Sequence, residues 1–159
     1  MIPTVGCVFM NLRIKTKYGM AKLCFWDSAG GNFIISLRSY FRGFQCFVLC
    51  YDITDKKSFE SIKNVFYNEI YNNLGDNLIK NALIYLVGNK IDLKDEIQVP
   101  DEEAISFANE KKMLFFKVSA KTGEGLDNLK SHMLHSLVKK FGKNKTVGGQ
   151  KKKNFYSVI

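Results

Sequence analysis

The sequence predicts an α/β fold built on a mostly parallel sheet, and three observations carry that prediction. Residues 45–52 (QCFVLCYD) and 82–87 (ALIYLV) are apolar without alternation, as strands are when both faces of a sheet are covered. Between and after them, apolar residues recur at helical spacing. Strands that alternate with helices pair in parallel through right-handed crossovers.

The elements follow in order. Val8, Met10, Leu12 and Ile14 alternate with Asn11, Arg13, Lys15 and Lys17, the pattern of a strand with one wet face. Tyr18-Gly19 makes a hairpin turn, residues 22–27 return as a second strand, and a loop around Gly30-Gly31 follows. After the strand at 45–52, Phe59, Ile62, Val65, Phe66 and Ile70 stripe a helix behind Ser58 as cap. The strand at 82–87 runs into Gly88-Asn89-Lys90. Asp101, Glu102 and Glu103 after Pro100 suit the first turn of a helix, where carboxylates complement the dipole. Residues 114–118 form the last strand, and Leu126, Leu129, Met133, Leu134, Leu137 and Phe141 stripe a closing helix.

The chain has 159 residues, 46% hydrophobic and 25% charged, enough to bury the core of one domain and to exclude disorder over most of its length. No run of 18 apolar residues and no signal-peptide pattern occurs, so a cytoplasmic protein is expected, at most peripheral on a membrane. The net charge of +9 first suggests nucleic acid or an anionic membrane as partner. Its distribution points elsewhere. Residues 139–159 hold seven Lys and no acid, leaving 17 bases against 15 acids, a net of +2, in residues 1–138. A single, nearly neutral domain in residues 1–141 and a basic, flexible tail at 142–159 are expected, with no nucleic acid bound. Cys7, Cys24, Cys46 and Cys50 lie in apolar stretches without metal-ligand spacing and read as buried free thiols. His132 and His135 read as surface residues.

Three motifs fall just after strands, where ligands bind in such sheets. Asp27-Ser28-Ala29-Gly30 offers a carboxylate for the water shell of Mg²⁺ and a Gly that lets a phosphate approach the backbone. In Asn89-Lys90-Ile91-Asp92, the Asp92 carboxylate can accept from guanine N1–H and N2–H₂. Adenine has neither donor, so Asp92 would discriminate strongly. Ser119-Ala120-Lys121 would bring the Ala120 N–H to guanine O6. Each motif alone also makes an ordinary turn; their order, each behind its own strand, argues for a common site.

With these motifs the sequence resembles a Rab-type small GTPase of the Ras superfamily over about residues 3–141. The resemblance rests on Pro3-Thr4-Val5-Gly6-Cys7-Val8-Phe9 as switch I and Phe25-Trp26-Asp27-Ser28-Ala29-Gly30 opening switch II. Ser39-Tyr40-Phe41-Arg42-Gly43 and Tyr51-Asp52-Ile53-Thr54-Asp55 are similar to further family segments. It implies a P-loop NTPase-like, three-layer small G protein fold and a GTP/GDP switch in vesicle-mediated transport. It also implies that Thr4 and Asp27 hold Mg²⁺ and Gly30 meets the terminal phosphate. Asn89, Lys90, Asp92, Ser119, Ala120 and Lys121 would hold the base. Phe9, Trp26 and Tyr40 match the aromatic triad read by Rab effectors, although core packing would equally use them. Exchange factors and GTPase-activating proteins are the other implied partners, on the cytosolic face of endomembranes.

The chain departs from the family pattern in three places. No GxxxxGK[ST] occurs, and only three residues precede Thr4; the phosphate-cradling strand, loop and helix are missing, which implies an N-terminally truncated domain. The missing strand belongs in the middle of the sheet, so two unpaired edges are expected, each unmet backbone group costing about 1–3 kcal/mol. An incomplete piece of a GTPase is thus favoured over a folded, nucleotide-free interaction module using the switch surface. Gly31 stands where the family has its water-orienting Gln, so no catalytic residue is assigned and impaired hydrolysis is expected. The tail ends in Tyr156-Ser157-Val158-Ile159 without the lipid-bearing Cys, leaving its Lys residues at most a weak contact with anionic membrane.

Overall fold

The computed structural model describes residues 7–16, 19–28, 44–141, 146–147, 150–151 and 154–158. Its strands are β1 (Cys7–Thr16), β2 (Gly19–Ser28), β3 (Cys46–Asp52), β4 (Leu83–Asn89), β5 (Leu114–Lys117), β6 (Thr146–Val147), β7 (Gln150–Lys151) and β8 (Asn154–Val158). Its helices are α1 (Lys56–Ser61), α2 (Tyr67–Ile79), α3 (Asp101–Glu110) and α4 (Leu126–Phe141). A π-helical turn, Ile62–Phe66, joins α1 to α2, and Gly75 at φ 66° interrupts α2.

The main sheet runs β1-β2-β8-β3-β4-β5. β1 and β2 form an antiparallel hairpin that closes at Thr16↔Gly19, and the other pairings are parallel. Helices cover two faces. On one, Phe47, Leu49 and Tyr51 of β3 and Ile84 and Leu86 of β4 pack with Phe59, Ile70 and Phe107. On the other, Cys46, Tyr85 and Val87 pack with Leu129, Met133 and Leu137 of α4. β4 therefore buries alternate residues on opposite faces, which is why its sequence is continuously apolar. Lys140 ties the end of α4 to the start of β4, its Nζ donating to the carbonyls of Lys80 and Ala82 at 3.3 Å each.

Several expectations need correction. Ser58 is not the helix cap: Asp55 caps α1, its carboxylate accepting from the Lys57 N–H at 2.9 Å. Ser58 already lies inside the helix and links it to β3, its Oγ accepting from the Asp52 N–H at 3.0 Å. β1 lacks the expected dry face, since Val8, Met10 and Leu12 are each about half exposed or more. His132 is half-buried, not superficial; it sits 3.2 Å from the Tyr85 hydroxyl and packs on Phe116. Of the cysteines, Cys24 and Cys46 are buried thiols but Cys50 is exposed.

The centre of the sheet also differs. β2 and β3 are not neighbours in the sheet: Asn154–Val158, from the stretch expected to be a flexible tail, lies between them as β8. Lys22↔Phe155, Leu23↔Tyr156 and Cys24↔Ser157 pair in register along β2. Unmet backbone donors and acceptors on two sheet edges supply the drive for this insertion.

Packing above β3 leaves one buried polar atom without a partner among the described residues, the Tyr51 hydroxyl. It fits only because residue 88 is Gly: a Cβ there would meet the Tyr51 oxygen at 2.9 Å. Tyr51→Phe is expected to leave the fold intact and raise its stability by up to about 1 kcal/mol, since an unsatisfied buried hydroxyl is removed. Urea denaturation checks this, and a fall in stability would reveal an unseen partner.

Candidate functional site

The carboxyl ends of β3, β4 and β5 bring Asp52, Asn89 and the segment after Lys117 together. Ser119, wholly buried, organises the site. Its Oγ donates to the Asp92 carboxylate at 2.5 Å and accepts from the Thr122 N–H at 3.1 Å. Backbone bonds from Gly123 N–H to Ser119 C=O and from Ser119 N–H to Glu124 C=O, both 2.9 Å, close the loop around it. The Ser119 hydroxyl holds Asp92 below the ordinary aspartate range, helped by Lys121 and Lys90. Asp92 is thus an oriented anion. One oxygen meets Ser119, and the other faces Lys121 Nζ at 3.9 Å. Lone pairs on both oxygens can still accept from two adjacent N–H groups.

Asn89 and Lys90 act on neighbouring loops. Asn89 Oδ1 accepts from the Ala120 N–H at 3.0 Å, so the donor offered by sequence to guanine O6 is engaged by Asn89. Lys90 adopts φ +70°, a left-handed conformation costing about 1–2 kcal/mol for a residue with a Cβ. It is held there by the Leu93 N–H donating to its carbonyl at 2.9 Å and by a 2.5 Å ion pair from Nζ to Asp52.

Asp52 is a site residue that the motif reading missed. Its Oδ1 accepts from the Thr54 N–H at 2.8 Å and the Thr54 hydroxyl at 2.7 Å. The Asp-x-Thr spacing was the available signal, because Asp binds the backbone two residues on in this way. Burial pushes its carboxyl up, but Lys90 and Thr54 outweigh that and hold it below its ordinary value of about 3.8. The stability this contributes is present above about pH 4 and is lost as pH falls through the lowered folded value. Asp52→Asn is therefore expected to be less stable than the parent at pH 6, with the difference closing toward pH 2.5, as thermal melts across that range will show.

The remaining predicted residues are distributed as follows. Asp27 lies in β2 opposite Val8, exposed near the strand's end. Phe9 and Trp26 are cross-strand partners with ring centroids 4.9 Å apart, and Trp26 reaches Phe44 of the core at 5.9 Å. Trp26 is thus part core and part surface. Thr4, Gly30, Gly31 and Tyr40 fall outside the described residues.

Asp92 and Ser119 thus present an oriented carboxylate with a buried hydroxyl behind it and a hydrogen-bonded loop beside it. Of the two residues expected to hold Mg²⁺, Asp27 is exposed near the end of β2 and Thr4 lies outside the described residues. An exposed carboxylate of this kind can hold Mg²⁺ through the water shell that the ion keeps in phosphate sites. A cavity of about 640 Å³ lined by Tyr67, Lys80, Lys112 and Lys140 opens near the start of β4, far along the strand from these motifs. No helix among the described residues is long and apolar enough to cross a membrane.

A model of the Ras family matches residues 1–139. The chain is 33% identical to the Ras-related protein SEC4 of Candida albicans over 149 residues, covering 93% of this chain and 68% of that protein. It is 33% identical to the Ras-related protein Rab-13 of Canis lupus familiaris over 142 residues, 89% of this chain and 68% of the relative. Against the GTP-binding protein ypt2 of Schizosaccharomyces pombe, identity is 35% over 127 residues, 79% and 61% of the two chains. The motif order, the α/β sheet and these relatives together place the chain in the Ras family, among the Rab-type small GTPases.

Proposed function

We propose that this chain is a Rab-like GTP/GDP switch in vesicle-mediated transport, and that Asp92, Ser119, Ala120 and Lys121, with Asn89 and Lys90, form its guanine pocket. One observation carries the proposal: Asp92 is fixed by the buried Ser119 hydroxyl at 2.5 Å while remaining able to accept from a base. An unsatisfied carboxylate here penalises adenine, which supplies no matching donors. Thr4, Asp27 and Gly30 would serve Mg²⁺ and the terminal phosphate, the bound cation supplying charge neutralisation. Phe9 and Trp26, with Tyr40, would present the effector surface.

Two finer points belong to the same reading. Gly31 lacks any side chain to orient water, so bound GTP would be long-lived unless a partner supplies the missing group. The Lys of residues 139–153 would add a weak, salt-sensitive attraction to the cytosolic face of anionic endomembranes.

Titration with fluorescent GDP and ADP in Mg²⁺ tests the reading. Saturable GDP binding displaced by GTP but not ATP supports it; equal binding of both, or of neither, overturns it. Single-turnover hydrolysis by the parent and by Gly31→Gln then tests the slow-switch element, with a faster variant expected.

A further inference from the structure

β8 differs from its neighbours in how it is held. It reaches the centre of the sheet from more than 100 residues beyond β3. All five residues pair with Ala21–Phe25 of β2, yet against β3 only Val158 pairs, with Cys46. Beyond Cys46, β3 pairs with β4 on one side and with no described strand on the other. Cys50 marks the opening: it is exposed although its neighbours Leu49 and Tyr51 are buried.

We propose that the space between β2 and β3 is a strand-addition site, occupied in this chain by its own residues 154–158 as a separable parallel strand. Main-chain pairing supplies affinity in such additions, and the bordering strands set register and direction. The surrounding residues favour an apolar occupant, since Leu23 and Cys46 beside the slot are fully buried. Phe155, Tyr156 and Val158 meet that demand, whereas the preceding stretch 142–153 is rich in Lys and contains Gly148-Gly149. Twelve residues, among them β6 and β7, connect α4 to β8, and a short covalent connection gives millimolar effective concentrations. A five-residue strand held mainly along one edge therefore stays in place through its tether as well as through its pairing.

The full chain carrying Ser157→Cys tests occupancy. Residue 157 is in register with Cys24, and adjacent strands about 4.8 Å apart lie within disulfide reach. Mild oxidation is expected to give a monomer with a disulfide between Cys24 and the new thiol, whereas Tyr156→Cys, in register with Leu23, should not pair with Cys24. Failure to cross-link overturns the occupancy, and a disulfide-linked dimer overturns occupancy in cis.

Separability is tested by placing a protease site at residues 147–150 of the full chain and cutting it after folding. The freed peptide is expected to co-elute with the body and to exchange with a fluorescent synthetic peptide of residues 150–159. A peptide with Ser157→Pro, which lacks a ladder N–H, should bind at least tenfold more weakly. Unfolding of the body once the peptide leaves, or no uptake of the labelled peptide, would overturn separability. Neither arm involves nucleotide, so failure here leaves the guanine reading standing.

Discussion

Asp92→Ala is expected to lose the preference for guanine over adenine nucleotides, with GDP binding weakened about 10²–10³-fold and ADP binding unchanged. Two interactions disappear together. The carboxylate that would accept from the base is gone, and the Ser119 hydroxyl, wholly buried, loses its acceptor at 2.5 Å. Lys121→Ala provides the contrast. Its Nζ is 3.9 Å from Asp92 and the side chain is 81% exposed, so less than a tenfold loss is expected for a screened surface pair. Competition titrations with GDP and ADP on the two variants check both statements, and equal losses would detach Asp92 from base recognition.

Gly125→Ala is expected to destabilise the domain by about 3–4 kcal/mol, combining left-handed strain with overpacking. Gly125 has φ +76°, and a Cβ there would lie 2.3 Å from the Lys117 carbonyl oxygen. That atom is backbone of β5, so it cannot swing aside. Gly125 is also where the loop around Ser119 returns to start α4, its carbonyl accepting from the Leu129 N–H at 3.1 Å. The substitution should therefore loosen Ser119 and Asp92 as well as the helix. Gly123→Ala separates the two causes, because φ is +87° but nothing lies within 4 Å of its added Cβ. It should cost only about 1–2 kcal/mol, and urea denaturation of both variants measures the difference.

The parts of the fold legible in the sequence were those whose signal is local. β3 and β4 announced themselves because burial on both faces removes polar residues from the run. α3 was marked by Asp101, Glu102 and Glu103 behind Pro100, and α4 by Leu129, Met133 and Leu137, all buried on one face. β8 carried no comparable signal. Five residues give too short a window for periodicity, and their placement depends on β2 and β3, more than 100 residues earlier. His132 escaped for a related reason, since only the fold brings Tyr85 to it.

The candidate site was legible in the same uneven way. Asn89, Lys90, Asp92 and Ser119 were visible because each lies in a short motif directly after a strand. Their mutual bonds were not visible. Nothing in the spacing says that Ala120 donates to Asn89, or that Lys90 turns to Asp52. β1 failed in the opposite direction: alternation marked a dry face, while Val8, Met10 and Leu12 remain exposed. Alternation establishes which residues share a face, not whether anything covers it.

The position of β8 also bears on how the molecule is made. Its partners in β2 are synthesised more than 120 residues before it, so this pairing cannot form until the ribosome has delivered residues 154–158. Until then the edge of β2 that β8 covers lacks this partner, and an open β edge is a template for association with other chains. Contacts of such large sequence separation also slow folding. Expression at low temperature or with holdase chaperones should therefore raise the soluble yield of this chain more than that of a small domain whose central strands are made first.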